Sequence, residues 1–159
     1  LDPIASKASI YLDTSSLNVH ELQHLLAVRL SGDNQVTLLL ESFGYKHGVP
    51  LDADFVFDVR CLPNPHWQSS LRELTGKQQE IKDFLNGHPE VEALYYDISQ
   101  FLIKWLPRLS ADHRHYLTVA IGCTGGQHRS VYMVERLYES LKTILPHIQT
   151  LHRELVRRK

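Results

Sequence analysis

Eight consecutive residues, Cys123-Thr124-Gly125-Gly126-Gln127-His128-Arg129-Ser130, concentrate the groups that phosphate binding needs. Before them, Tyr116–Gly122 (YLTVAIG) reads as a buried strand. After them, Val131, Val134, Leu137, Tyr138 and Leu141 recur at helical spacing. A strand–turn–helix of this kind aims backbone N–H groups at one point, with the positive end of the helix behind them. Gly125 and Gly126 permit unusual φ values and let an anion approach the backbone closely. Arg129 adds a planar guanidinium suited to paired hydrogen bonds with phosphate oxygens.

The segment also has the Cys-x5-Arg-Ser spacing of a tyrosine-phosphatase-type loop, in which a cysteine thiolate attacks phosphorus. Three readings stand: a binder of a phosphorylated ligand, a cysteine-dependent phosphatase using Cys123 and Arg129, and a glycine-rich turn without a ligand. A nucleophile must be ionised, and a helix N-terminus beside Arg129 favours the thiolate. A reversible binder gains nothing from that charge, because two unit charges 4 Å apart repel by roughly 4 kcal/mol at an effective dielectric near 20. A phosphatase also needs a general acid, and neither Asp58 nor Asp97 is marked for that role. The binder is preferred, with no catalytic residue and no metal assigned.

The elements that would position this segment are an alternation of strands and helices. Gln35–Ser42 (QVTLLLES), Asp54–Arg60 (DFVFDVR) and Tyr116–Gly122 read as strands, and His147–Leu151 as a short fourth. Helical patterns cover about Asn18–Leu30, where Asn18 and Glu21 form a capping-box-like pair, about Lys77–Leu85, and Pro89–Leu106, which Pro107 is expected to close. The expected fold is α/β, a mostly parallel sheet with flanking helices and ligand loops at the C-terminal ends of the strands. Loops 43–50 and 61–67 then share a rim with 123–128. That brings Lys46, Asp58, Asn64, His66, Cys123, Thr124, Gly125, Gly126 and Arg129 together. Asp58 would hold sugar hydroxyls or an amine, or else pair as a buried acid with Arg60 or a helix end. Asn64 and His66 would bond phosphate or hydroxyl oxygens, His66 having the alternative of stacking on Trp67. Lys46 is a ligand contact or a solvated loop charge.

Composition bounds the rest. The chain has 159 residues, 43% hydrophobic and 22% charged, enough for one domain with its own core and not a disordered chain. No apolar run reaches the length of a membrane span. Two cysteines make no disulfide framework, which points to a reducing cytoplasm. A net charge of −1 predicts no partner by itself. A start at Leu-Asp-Pro reads as a fragment of a longer protein: 1–12 a residual segment of a preceding domain, 13–159 the domain proper. His20-Glu21-Leu22-Gln23-His24 matches a zinc-protease pattern, but its imidazoles fall opposite the Val19/Leu22/Leu26/Leu30 stripe and lack the usual continuation. His113 and His115 lack further ligands to pair with, Cys61 reads as a small buried hydrophobe, and the Tyr95/Tyr96, Phe101, Trp105 set as helix packing or a subunit interface. The end of the chain is basic: Arg153, Arg157, Arg158 and Lys159, with Lys142 upstream. Such a patch is a solvated tail or a contact for nucleic-acid phosphates.

Five segments in one order carry a resemblance. They are Phe43-Gly44-Tyr45-Lys46-His47-Gly48, Asp52–Arg60 (DADFVFDVR), Leu62-Pro63-Asn64-Pro65-His66-Trp67, Leu74-Thr75-Gly76 and Thr118–Tyr132 (TVAIGCTGGQHRSVY). Together they resemble the C-terminal domain of the RapZ family of RNase adapter proteins, from about residue 8 onward. The resemblance implies a homo-oligomeric domain that binds small regulatory RNA, presents it to RNase E, and senses glucosamine-6-phosphate. It carries ligand roles to Asp58, His66, Cys123, Thr124, Gly125 and Arg129, and RNA roles to Lys46 and Arg157-Arg158-Lys159. The family's P-loop lies in a preceding domain, and no Gly-x4-Gly-Lys-Ser/Thr occurs in this chain, so no cofactor and no nucleotide hydrolysis are assigned to it. Leu145-Pro146-His147 stands where the family often has Gly-Lys, so one basic RNA contact is missing.

Overall fold

A computed structural model describes residues 37–110, 116–145 and 147–156. Two nearly unbroken apolar runs become the middle of a four-stranded sheet. These are β1 (Thr37–Gly44) and β3 (Tyr116–Cys123), each buried along all but its first residue. β2 (Phe55–Asp58) flanks β3 and β4 (Ile148–His152) flanks β1, so the order is β2-β3-β1-β4 and every pairing is parallel. The α/β fold expected from the strand–helix alternation is the one observed. Both edge strands alternate half-buried and exposed residues, as strands with one covered face should.

The helices cover the sheet through spaced apolar positions. α1 (Gln79–Asn86) buries Ile81 and Leu85. α2 (Pro89–Ser110) buries Val91, Ile98, Leu102 and Leu106. α3 (Arg129–Leu141) follows β3 and is buried through its first six residues, then at Leu137 and Leu141. Residues Arg153–Val156 add one helical turn, α4, after β4. Phe101 of α2 meets Phe55 and Phe57 of β2 edge-on, with centroids 5.3 and 5.6 Å apart. Tyr95 lies against the core, whereas Tyr96 and Trp105 are exposed.

Two local expectations are corrected. α2 does not close at Pro107 but runs through it to Ser110. The proline sits in the last turn, and Ile103, whose carbonyl loses its donor there, is exposed to water. Cys61 is exposed rather than buried, because β2 ends at Asp58 and Cys61 falls in the turn beyond it. The Asn18 helix, the His20/His24 and His113/His115 pairs, and Arg157, Arg158 and Lys159 lie outside the described residues. Among the described residues, no helix is long and apolar enough to cross a membrane.

Candidate anion-binding site

Parallel pairing delivers the loops after β1, β2 and β3 to one end of the sheet. Gly44 lies opposite Cys123, and Asp58 opposite Gly122. Backbone bonds stitch the loops together. Lys46 N–H donates to the Thr124 carbonyl (3.3 Å), and Val59 N–H to the Gly122 carbonyl (2.9 Å). A further segment clasps the turn from the side, where Gly76 N–H donates to the Gln127 carbonyl (2.8 Å). Only glycine fits there: a Cβ at residue 76 would lie 2.3 Å from His128 O and Tyr132 N. The turn itself depends on Gly126, at φ +71°. A Cβ at residue 126 would sit 2.4 Å from Glu154 Cγ and 2.6 Å from Gly44 N. Gly125 needs no unusual φ and has open space around it, so the special backbone expected of both glycines belongs to Gly126 alone.

Between these loops is a cavity of about 210 Å³. Lys46, Asn64 and His66 form its outer wall; Cys123–Gly125 and Gln127–Arg129 form its floor. Lys46, His66 and Thr124 are exposed, while Cys123, His128 and Arg129 are buried. The first turn of α3 ends at this floor and contributes its partial positive charge. No carboxylate lines the cavity among the described residues, so Lys46 and Arg129 make it electropositive.

Arg129 is both a brace and a donor. It is only 4% exposed. Its Nη1 donates to the carbonyls of Arg60 (2.8 Å) and Leu62 (2.9 Å), and Nη2 to Thr124 Oγ1 (3.3 Å). Its Nε is buried with no partner. His128 is likewise buried, with Nε2 unpartnered. Burial pushes the His128 pKa down, and nearby His66 and Arg129 push the same way against the carbonyls of Leu74 and Arg72. The ring is therefore neutral at pH 7. A buried donor left without an acceptor costs on the order of 1–3 kcal/mol. Arg129 Nε is such a donor; the neutral His128 ring spends its one proton on the carbonyls of Leu74 and Arg72, so its Nε2 is an unfilled acceptor.

Cys123 is tied into the turn. Gly126 N–H donates to its Sγ (3.2 Å), and Ser130 Oγ lies 3.1 Å from the same sulfur. One amide of the turn thus serves the sulfur rather than a ligand. Asp58 does not line the cavity. Its carboxylate takes both Nε (3.0 Å) and Nη2 (2.7 Å) of Arg60, and that side-chain pairing lowers its pKa. The Arg60 pairing expected as one alternative is found, without the burial that went with it. Arg60 in turn lies 3.9 Å over the Tyr45 ring, closing the corner between two loops. Asn64 Oδ1 accepts from His66 N–H (3.2 Å) and caps the 3-10 turn Pro65–Trp67. The His66 ring faces His128, with centroids 6.4 Å apart, and Trp67 is left exposed.

The candidate basic residues fall in different places. Lys46 is on the cavity rim. Lys142 follows α3 at the far end of a 13-residue helix, about 20 Å from the cavity by helix rise, and pairs with Glu139 (2.5 Å). Arg153 turns inward, with Nε 3.4 Å from buried Glu41. His128 and Gln127 are cavity residues that spacing alone treated as filler between Cys123 and Arg129; their place on a glycine turn at a helix start is the signal that could have found them. A larger cleft of about 600 Å³ lies among α1, α2 and α3, and most of its charges are matched: Arg136 with Glu92, Glu135 with Lys77 and His152, Glu139 with Lys142.

Fold and site together define a small α/β domain whose strand–turn–helix end forms an electropositive cavity beside one unfilled donor, Arg129 Nε. The family model for the RapZ C-terminal domain matches residues 36–156, and the chain belongs to that family. It is 50% identical over 155 residues to a nucleotide-binding protein of Acinetobacter baumannii, covering 98% of this chain and 54% of the relative. It is 48% identical over 161 residues to the RNase adapter protein RapZ of Serratia proteamaculans, covering 100% of this chain and 57% of the relative. A nucleotide-binding protein of Pseudomonas putida is 50% identical over 157 residues, with 98% and 55% covered. The chain thus spans just over half the length of these curated relatives.

Proposed function

We propose that this domain is the ligand- and RNA-binding part of an RNase adapter, not an enzyme. The cavity takes an amino-sugar phosphate, glucosamine-6-phosphate. The basic surface takes a small regulatory RNA and presents it to RNase E in the cytoplasm, in a homo-oligomeric assembly. The observation that carries the ligand half is the buried, unpartnered donor Arg129 Nε beside a cavity without a carboxylate. The phosphate sits on the Thr124–Arg129 turn, its oxygens facing Arg129 Nε and Lys46. The sugar extends toward Asn64 and His66. A contact from the amino group to Asp58 requires the Arg60 fork to let go of one carboxylate oxygen. Support for the adapter role comes from the family and from the name of the Serratia relative.

Calorimetric titration with glucosamine-6-phosphate, glucosamine and inorganic phosphate tests the ligand half. The sugar phosphate should bind, phosphate more weakly, and glucosamine without detectable heat. Arg129→Ala should weaken sugar-phosphate binding about ten- to a hundredfold, the worth of one charge-assisted bond. The exposed Lys46→Ala should weaken it less and leave the fold intact. Equal binding by glucosamine, or no heat with either phosphate, rejects the reading. If ligand and RNA share the Lys46 rim, each lowers the other's affinity by the same factor. RNA affinity that is unchanged at saturating sugar phosphate rejects that linkage.

A further inference from the structure

α2 carries a second face that the fold does not use. A surface helix needs one apolar stripe, and α2 has it in the core residues Val91, Ile98, Leu102 and Leu106. Its outer side, Ala93, Tyr96, Asp97, Gln100, Ile103 and Lys104, is exposed throughout, with Tyr96 at 59% and Ile103 at 39%. These residues repeat at heptad spacing: Ala93 with Gln100, Tyr96 with Ile103, Asp97 with Lys104. Rows of that period run nearly along the axis, as in the seam between two packed helices. Charge divides the same face lengthwise. Glu90 and Asp97 stand in the N-terminal half, Lys104 and Arg108 in the C-terminal half. Lys104 and Arg108 lie over the Trp105 ring, 5.5 and 5.0 Å from its centre. None of the four charges enters an ion pair among the described residues. Glu90 and Arg108 suit the helix's own dipole, but that effect fades within the terminal turns. It does not account for Asp97 and Lys104 in the middle, which are about 10 Å apart along the axis and too far to pair with each other.

We propose that this face docks a second copy of the chain, α2 against α2, antiparallel across a two-fold axis near Gln100. The proposal rests on the reading that the domain self-assembles, and it adds the surface. At about 100° per residue, Asp97 and Lys104 lie on one side of the line through Gln100, and Tyr96 and Ile103 on the other. A two-fold perpendicular to the helix reverses its direction and keeps each side opposite its own kind. Asp97 then meets Lys104 of the second copy, Lys104 meets the second copy's Asp97, and Tyr96 packs on Ile103 along the other flank. Farther out, the same symmetry sets Glu90 opposite Arg108. Each contact forms twice, as in any isologous interface. Parallel packing would instead set each charged side against the second copy's Tyr96 and Ile103, burying charges without partners. Charge complementarity thus selects both the occupant and its direction. None of these residues lines the phosphate cavity, so docking and ligand binding are measured independently.

The test is sedimentation velocity of this chain over a concentration series, with the urea midpoint of each variant as the check on folding. The wild type should self-associate. Ile103→Asp should weaken association about a hundredfold, by placing a charge in the apolar flank. Asp97→Lys and Lys104→Glu should each weaken it about ten- to a hundredfold, because two attractions become two repulsions. Mixed in equal amounts, these two charge variants should associate with each other, since every opposed pair again carries opposite signs. The double variant, Asp97→Lys with Lys104→Glu, should associate by itself for the same reason. A wild type that stays monomeric at every concentration overturns both self-assembly and this surface. Association that all of these variants leave unchanged, or single-variant losses that neither mixing nor the double variant restores, overturns this surface alone.

Discussion

At the scale of single residues, Arg129 has two functions that different substitutions separate. Its Nη1 satisfies two carbonyls of the turn after β2, and its Nε is buried without a partner. Truncation to alanine leaves both carbonyls without their charged donor. Arg129→Ala should therefore lower unfolding stability by about 2–4 kcal/mol, read from urea denaturation. Arg129→Lys keeps a cation but cannot span both carbonyls from one planar group. It should recover part of the stability and little of the phosphate affinity. Wild-type stability in Arg129→Ala would show that the guanidinium does not brace this turn. Asp58 makes the opposite case, since it is exposed and tied to its own neighbour-but-one. Asp58→Asn should leave the unfolding midpoint unchanged, so any loss of sugar preference in that variant reports a ligand role directly.

At the scale of elements, the strand–turn–helix unit is held by what packs behind it. Gly126 rests against Gly44 and Glu154, so the end of β1, α4 and the turn must move together. Gly126→Ala meets a positive φ and two close contacts, and should cost about 1–3 kcal/mol together with phosphate affinity. Gly125→Ala has no protein atom within 4 Å and should cost no stability, so equal losses of stability in the two variants would contradict this packing. This difference between neighbouring glycines also shows where sequence reading stops. The strands were legible because β1 and β3 are apolar over almost their whole length, and the rim followed from parallel pairing. The cluster Cys123–Arg129 was legible because its parts are contiguous. What was hidden depends on partners far along the chain. Ser42 Oγ meets His152 Nδ1 (2.7 Å) across 110 positions, and His152 Nε2 meets Glu135 (2.6 Å), tying β1, β4 and α3 into one unit. Periodicity says which face is buried, not which polar atom waits on the other side. The exposure of Cys61 was hidden for a related reason, since it turns on where β2 leaves the sheet.

For the molecule as a whole, buried ionisable groups set opposite pH limits on stability. Burial lowers the pKa of His128 and His152 below the usual 6.5. Their neutral forms are favoured by folding, so their contribution is present above about pH 6.5 and is lost as pH falls. Glu135 acts in the same direction at lower pH: bonds from His152 and Lys77 outweigh its burial and lower its pKa. Glu41 acts oppositely. It lies on central β1, 4% exposed, and burial raises its pKa to about 7 despite Arg153, with Asp52 and Glu154 adding repulsion. Its contribution is present below about pH 4.5 and is lost as pH rises through 7. The rise from 4.5 corresponds to a cost on the order of 3 kcal/mol for holding the charge. Glu41→Gln keeps the shape and cannot ionise. Relative to wild type, the variant should gain stability as pH climbs from about 5 to 8, while the loss on the acid side, set by the two histidines and Glu135, stays the same. Some of the gain is offset by Arg153, which loses its carboxylate. Paired urea unfolding curves across that range measure it. A difference between the two proteins that does not change with pH would mean that Glu41 is already neutral, or already fully paired, throughout.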